Sequence, residues 1–198
     1  MDFSGKSTLV SELHELMPEA IVRHKYLSDS QRIKDFKKWW ADNDIKNAWY
    51  DEISSWAPLL EKILETSAWD IQDCETDKLI IADNLRVFKI LVGVISIGGN
   101  DTEMANKFKD LINELPEMDS YYVTASIDEK LKRAKHRKES KGLLTNSDAL
   151  FIKNIDEYNK REEIYKKLIF ERYPNTKTLD TTNKSPQQLA QEILNERN

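Results

Sequence analysis

Cysteine occurs once in this 198-residue chain, at Cys74, and a single thiol excludes an intrachain disulfide framework. A reducing cytoplasm is the compartment expected from that usage. Glycine and proline are also scarce, five of each, and no low-complexity or Pro/Gly/Ser-rich linker divides the chain. One domain spanning 1–198 is therefore expected, long enough to bury a sizeable core. Long apolar runs are missing. The most apolar stretch, Val87 to Ile97, carries Lys89 and falls well short of the roughly 20 residues of a membrane span. The polar N-terminus has no secretory signal character, so no membrane partner is expected. Basic excess is absent too: the formal net charge of −5 argues against a general nucleic-acid binder. His14, His24, His136 and Cys74 show no metal-ligand spacing.

What is present starts at the first residues. Ser4-Gly5-Lys6-Ser7-Thr8 is the back half of a G-x-x-x-x-G-K-[ST] phosphate loop. In that motif backbone N–H groups wrap the phosphates, the lysine reaches the outer ones and the hydroxyl after it holds Mg²⁺. Leu9, Val10, Leu13, Leu16 and Met17 follow at helical spacing, with Pro18 as the exit. The N-terminus of such a helix points at the phosphates. Ser4, Gly5, Lys6, Ser7 and Thr8 are thus the candidate ATP-binding residues. The motif's first glycine, and the strand that delivers the chain into the loop, would precede Met1. Strands flanking the missing one would lack a partner, so the natural product is expected to begin several residues earlier.

Along the chain, strands are expected at 20–22, 79–82, 121–125 and 177–180, the second ending in Asp83. Between them lie helical segments: 31–68 with a break near Asn43, 87–97, 102–115, 128–140, and a long helix from about Ser147 to Arg172. Ser185-Pro186 opens a final helix, with Ser as N-cap and Pro at the first helical position. Strands alternating with helices imply parallel pairing, hence a helix-rich α/β three-layer sandwich of the P-loop kinase type. All five tryptophans fall between Trp39 and Trp69, where aromatics at helical spacing read first as core. The apolar helix 87–97 suits either a core or a homodimer contact. The mixed charges around Glu162, Glu163, Lys166 and Lys167 read as a solvated face.

These residues resemble the thymidylate kinases. Asp2 stands three residues before Gly5, as an Asp does in that family's phosphate loop. The strand ending in Asp83 is similar to the family's strand ending in Asp-Arg, and the run 122–133 to its strand leading into a basic lid, here about 128–146. Two places depart from the pattern. Asn84 stands where the family has Arg, with Arg86 two residues on, and Arg23-His24-Lys25-Tyr26 replaces an Arg-Glu-Pro-Gly segment. The donor side is kept and the acceptor side is altered. The resemblance implies ATP as donor, Mg²⁺ as cofactor and a small nucleotide or nucleoside as acceptor, with 31–68 as acceptor-binding helices. It places Asp2 near an acceptor sugar hydroxyl.

Phosphoryl transfer asks chiefly for positioning and charge neutralisation. Lys6 would draw charge from the β- and γ-phosphates and Ser7 would ligate Mg²⁺, with Thr8 near the α-phosphate. Asp83, at a strand C-terminus, is a candidate metal-site carboxylate or catalytic acid; its alternative is to cap the helix that follows. Lys130, Arg133 and Arg137 share a helix face, and the two arginines are the better phosphate clamps because guanidinium binds bidentately. Arg23 and Arg86 are candidate acceptor-phosphate ligands. The reading is a nucleoside monophosphate kinase. A deoxynucleoside kinase is the close alternative, and a non-catalytic nucleotide-binding protein the more distant one. A hydroxyl acceptor needs a general base, and no acidic residue stands at the end of the first strand.

Overall fold

The computed structural model describes residues 4–42, 57–74, 77–141 and 151–197. They form two compact units, one from residues 1–22 with 118–198 and the other from 23–117. Among the described residues no helix is long and apolar enough to cross a membrane.

The first unit begins with α1 (Lys6–Leu16), whose Leu9, Val10 and Leu13 form one buried face. It packs against the last helix, α8 (Pro186–Arg197), through that helix's buried Leu189, Ala190 and Ile193. Burying apolar side chains at this spacing on both helices is what holds the pair together. Ser185 opens α8 as expected. Its hydroxyl accepts from the Gln188 N–H at 3.2 Å while Gln188 Oε1 accepts from the Ser185 N–H at 2.8 Å, a reciprocal cap. Strands β3 (Tyr121–Thr124) and β4 (Lys177–Asp180) pair in parallel, with Val123 opposite Leu179 and Thr124 opposite Asp180. α6 (Ile127–Lys141) and α7 (Ile155–Arg172) complete the unit.

Two expectations are corrected here. The single helix foreseen from Ser147 is interrupted: residues 151–153 are helical, but Asn154 leaves helical geometry (φ −147°) and caps α7 by accepting from the Glu157 N–H at 3.1 Å. Residues 147–150 lie outside the described residues. The charges around Glu162 are not all solvated, since Glu162 is buried. Its carboxylate takes two bonds from Lys130 Nζ, at 2.7 and 2.8 Å, and one from the Tyr122 hydroxyl at 3.0 Å. Lys130 therefore belongs to the interior rather than to a phosphate-facing row.

Among its described residues the second unit holds β2 (Ile80–Asp83), which pairs with β1 (Ile21–His24), and the helices α2 (Gln31–Asp42), α3 (Ala57–Gln72), α4 (Arg86–Gly98) and α5 (Glu103–Asn113). α4 buries Val87, Phe88, Ile90, Leu91, Val92 and Val94, and packs on α5. Its apolar sequence is thus largely used inside the unit. It stops at Gly99, whose φ of +88° a side chain would resist. Thr102 then caps α5 by accepting from the Ala105 N–H at 3.2 Å. Of the tryptophans, Trp40 is buried beside Phe36, their rings 5.7 Å apart. Trp69 carries the Arg32 guanidinium at 5.3 Å. Trp49 and Trp56 lie outside the described residues.

Candidate active site

The candidate phosphate-loop residues from Ser4 onward lead into and open α1. Gly5 is the N-cap of α1 with φ +81°, a left-handed conformation open to glycine and strained for other residues. Its carbonyl accepts the Leu9 N–H at 3.0 Å, the helix's opening bond. Gly5 has no side chain with which to cap this end. The first-turn N–H groups and the positive end of the helix dipole favour an anion here. Lys6 is the first residue of α1, half-buried, and Ser7 and Thr8 are exposed on its first turn. Ser4 is buried behind them. Asp2 lies outside the described residues.

A second feature meets the loop. A Cβ built on Gly5 would stand 3.3 Å from Arg133 Nη1 and 3.5 Å from Thr181 Oγ1. The loop is thus bordered by a guanidinium at the position where any side chain would intrude. Arg133 is itself held on three sides. Its Nε donates to Glu129 at 2.9 Å, Nη1 to Thr181 Oγ1 at 2.8 Å, and Nη2 to the Thr181 carbonyl at 2.8 Å. Arg137, one turn further along α6, is half-buried. A glycine cradle beside a fixed cation suits the phosphates of a nucleotide and the divalent ion they carry.

In the second unit, the ends of β1 and β2 share one construction. Each strand is followed by a non-glycine residue with positive φ, Lys25 at +71° and Asn84 at +62°. The Lys25 N–H bonds to the Asp83 carbonyl at 3.0 Å, and the Arg86 N–H to the Lys25 carbonyl at 2.8 Å. Asn tolerates the left-handed region better than most residues. That is a structural reason for Asn where the resemblance leads one to look for Arg. Asp83 is buried. Leu85, the N-cap of α4, has no side-chain acceptor for the helix's first N–H groups, and Asp83 lies two residues before it. Its Oδ2 lies 3.2 Å from Nδ1 of His24, an otherwise largely exposed ring.

Arg86 turns inward among aromatics. Its guanidinium carbon stands 3.9 Å from the centre of the Trp40 ring and 5.7 Å from those of Tyr26 and Phe36, while Nη1 donates to the Tyr26 hydroxyl at 2.6 Å. Burial pushes the guanidinium's pKa down from its ordinary value and that of the Tyr26 phenol up. Beside them Asp70 accepts the backbone N–H groups of Leu27 at 2.9 Å and Ser28 at 2.8 Å, fixing the loop that leaves β1. Burial raises the Asp70 carboxyl to about 6. Tyr26, Asp70, Leu85 and Arg86 line one small cleft. The Arg23 Nε is buried and makes no hydrogen bond among the described residues.

Sequence reasoning did not single out Thr181, Glu129, Asp70 or Tyr26. Thr181 had one legible signal, its place just past a strand's C-terminal end, where α/β folds gather ligands. Asp70 had none, because its partners are backbone groups more than 40 residues away in sequence.

The family model for shikimate kinase matches residues 78–198, a span that includes Asp83, Arg133 and Thr181. No curated protein matches the chain. The solved structure of thymidylate kinase from Candida albicans is similar over 99% of this chain and 87% of its own, with a TM-score of 0.62 and 16% identity. That of deoxyadenosine kinase from M. mycoides with bound dCTP is similar over 99% of this chain and 96% of its own, with a TM-score of 0.54 and 14% identity. Both likenesses concern the fold, the helix-rich α/β fold of P-loop kinases that the element order leads one to expect. With more than half of its length matched, the chain belongs to the shikimate kinase family of P-loop kinases, built on a thymidylate kinase-like fold.

Proposed function

We propose that the protein is a nucleoside monophosphate kinase that transfers the γ-phosphoryl group of ATP, with Mg²⁺, to a phosphate oxygen of a (deoxy)nucleoside monophosphate. The observation that carries this reading is the left-handed Gly5 at the N-cap of α1, with the Arg133 guanidinium 3.3 Å from where a Cβ would stand. The transfer breaks the bond from the γ-phosphorus to the β,γ-bridging oxygen and forms one to the acceptor oxygen, releasing ADP. The chain's part is positioning and electrostatics. Backbone N–H groups of residues 5–8 hold the phosphates. Lys6 draws charge from the outer ones, and Arg133 and Arg137 offset the charge that spreads over the transferring group. Mg²⁺ would be held by the Ser7 hydroxyl and phosphate oxygens and would screen the phosphates from one another; Asp83 stays a candidate metal-site carboxylate or catalytic acid in its own unit.

On the acceptor side, Arg86 supports the choice of an anionic acceptor. Among the described residues its guanidinium hydrogen-bonds one group, the neutral Tyr26 hydroxyl, and otherwise lies against aromatic faces. A buried cation in such a setting is completed by an anion. Arg23, with its unsatisfied Nε, is a second candidate, and Asp2 remains the candidate for a sugar hydroxyl.

One observation favours a second reading, a deoxynucleoside kinase. The His24–Asp83 pair offers the proton acceptor that a hydroxyl substrate needs and a phosphate does not. The test is ADP release from Mg-ATP across a panel of nucleoside monophosphates, nucleosides and shikimate, with Lys6→Ala as control. Release that depends on a monophosphate and is lost in Lys6→Ala is expected. Release that depends only on a nucleoside would establish the second reading, and dependence on shikimate alone would overturn both. ATP binding with no acceptor-dependent release would make the protein a non-catalytic nucleotide binder.

A further inference from the structure

We infer that Thr181 is a positioning residue for phosphoryl transfer, its hydroxyl tying the phosphate loop and Arg133 into one rigid donor site; the inference rests on the donor-site reading above. Thr181 follows β4 directly and is only 3% exposed. Its Oγ1 lies 2.7 Å from the Ser4 carbonyl and 3.1 Å from the Thr124 carbonyl, and accepts from Arg133 Nη1 at 2.8 Å. A hydroxyl has one proton to give. The Thr124 carbonyl already receives the Thr181 N–H at 2.9 Å, so the shorter contact assigns the hydroxyl proton to Ser4.

The consequence follows from peptide geometry. The peptide joining Ser4 to Gly5 is planar and trans, so its C=O and N–H point in opposite directions. Drawing the Ser4 carbonyl onto Thr181 aims the Gly5 N–H away from it and fixes one of the donors with which a phosphate loop works. The lone pairs of the same oxygen, with the Thr181 carbonyl, take both terminal nitrogens of Arg133. One side chain thus sets both the orientation of a loop amide and the placement of the cation beside it. The Thr181 methyl lies 3.6 Å from where a Gly5 Cβ would stand, so shape and hydrogen bonding can be varied separately.

Thr181→Val keeps the shape and loses the hydroxyl; Thr181→Ser keeps the hydroxyl and loses the methyl. Two quantities are compared: hydrogen exchange at the amides of residues 4–9, and Mg-ATP affinity by calorimetry, both on the full chain. Thr181→Val is expected to speed loop exchange about tenfold or more and to weaken Mg-ATP about ten- to hundredfold, the scale of unsatisfying buried partners. Thr181→Ser should restore both to within about threefold of the wild-type protein. Added to Arg133→Ala, Thr181→Val should cost less affinity than it does alone, since the partner is already gone. Equal effects from Val and Ser would assign the role to methyl packing and overturn the inference. So would a loss of protection throughout β3 and β4 with Mg-ATP affinity unchanged. Failure of the wild-type protein to bind Mg-ATP would overturn the donor-site reading and the inference together, whereas normal binding by Thr181→Val overturns the inference alone.

Discussion

Replacing Glu162 by Gln removes the charge that answers Lys130, while the Lys130 ammonium keeps its place in the interior, its side chain only 4% exposed. The wild-type carboxylate accepts three bonds there, two from Lys130 and one from the Tyr122 hydroxyl, and Gln cannot accept all three while directing its own N–H groups elsewhere. Breaking one partner of a buried pair costs about 3–5 kcal/mol, chiefly because an uncompensated charge is left behind. With a urea slope of about 2 kcal/mol/M, the first unit's unfolding midpoint should fall by about 2 M. Replacing both residues together, Lys130→Met with Glu162→Leu, removes both charges and should recover most of that loss. The assay is urea unfolding followed by circular dichroism, with tyrosine absorbance read against pH alongside. In the wild-type protein burial and the adjacent Glu162 carboxylate push the Tyr122 phenol's pKa up, so its ionisation should return toward the ordinary range in Glu162→Gln. A midpoint shift below about 0.5 M for Glu162→Gln, or a double variant less stable than the single one, would refute the argument.

Gly5→Ala forces a Cβ into a left-handed residue and to within 3.3 Å of Arg133 Nη1, so Mg-ATP affinity should fall at least about tenfold, measured by calorimetry, with α-helix content unchanged. Asp70 bears on pH dependence. Its carboxyl rises from 3.8 in the unfolded chain to about 6 in the fold, so its share of stability is present in full below pH 3.8 and lost as pH rises through 6. That amounts to about 3 kcal/mol between those limits. Plotted against pH, the stability of Asp70→Asn relative to wild type should climb by that amount between pH 4 and 7, and a flat difference would refute it. Arg86→Lys keeps a charge but not the plane lying 3.9 Å over Trp40 or the fork that reaches Tyr26. The KM for the acceptor should rise about tenfold or more with the KM for ATP within about twofold, as read in coupled assays of ADP release.

Much of the fold was legible because its signals are local. The spacing of Leu9, Val10 and Leu13, the caps at Thr102 and Ser185 and the Gly99 stop each depend on a few neighbouring residues. The candidate donor loop was recognisable for the same reason, since its glycine, lysine and hydroxyl residues are consecutive in sequence. Lys130 and Glu162 were misread because surface spacing cannot tell a solvated charge from one whose opposite lies 32 residues away in a packed interior. The break at Asn154 escaped as well: asparagine is tolerated within a helix, and its capping bond shows only once the backbone has turned.

The sequence by itself determined that helices and strands alternate, that one helix starts at a Gly-Lys-Ser-Thr run, and that arginines stand near strand ends. These properties follow from side-chain periodicity and from what glycine permits. Tertiary structure alone decided which arginine borders the loop, that Thr181 links Ser4 to Arg133, that Asp83 meets His24, and that Arg86 lies against Trp40. Each of these contacts joins residues 46 or more positions apart, and chain connectivity assigns no partner across such gaps. Packing assigns it, because a buried donor or cation settles where an acceptor or an aromatic face can receive it.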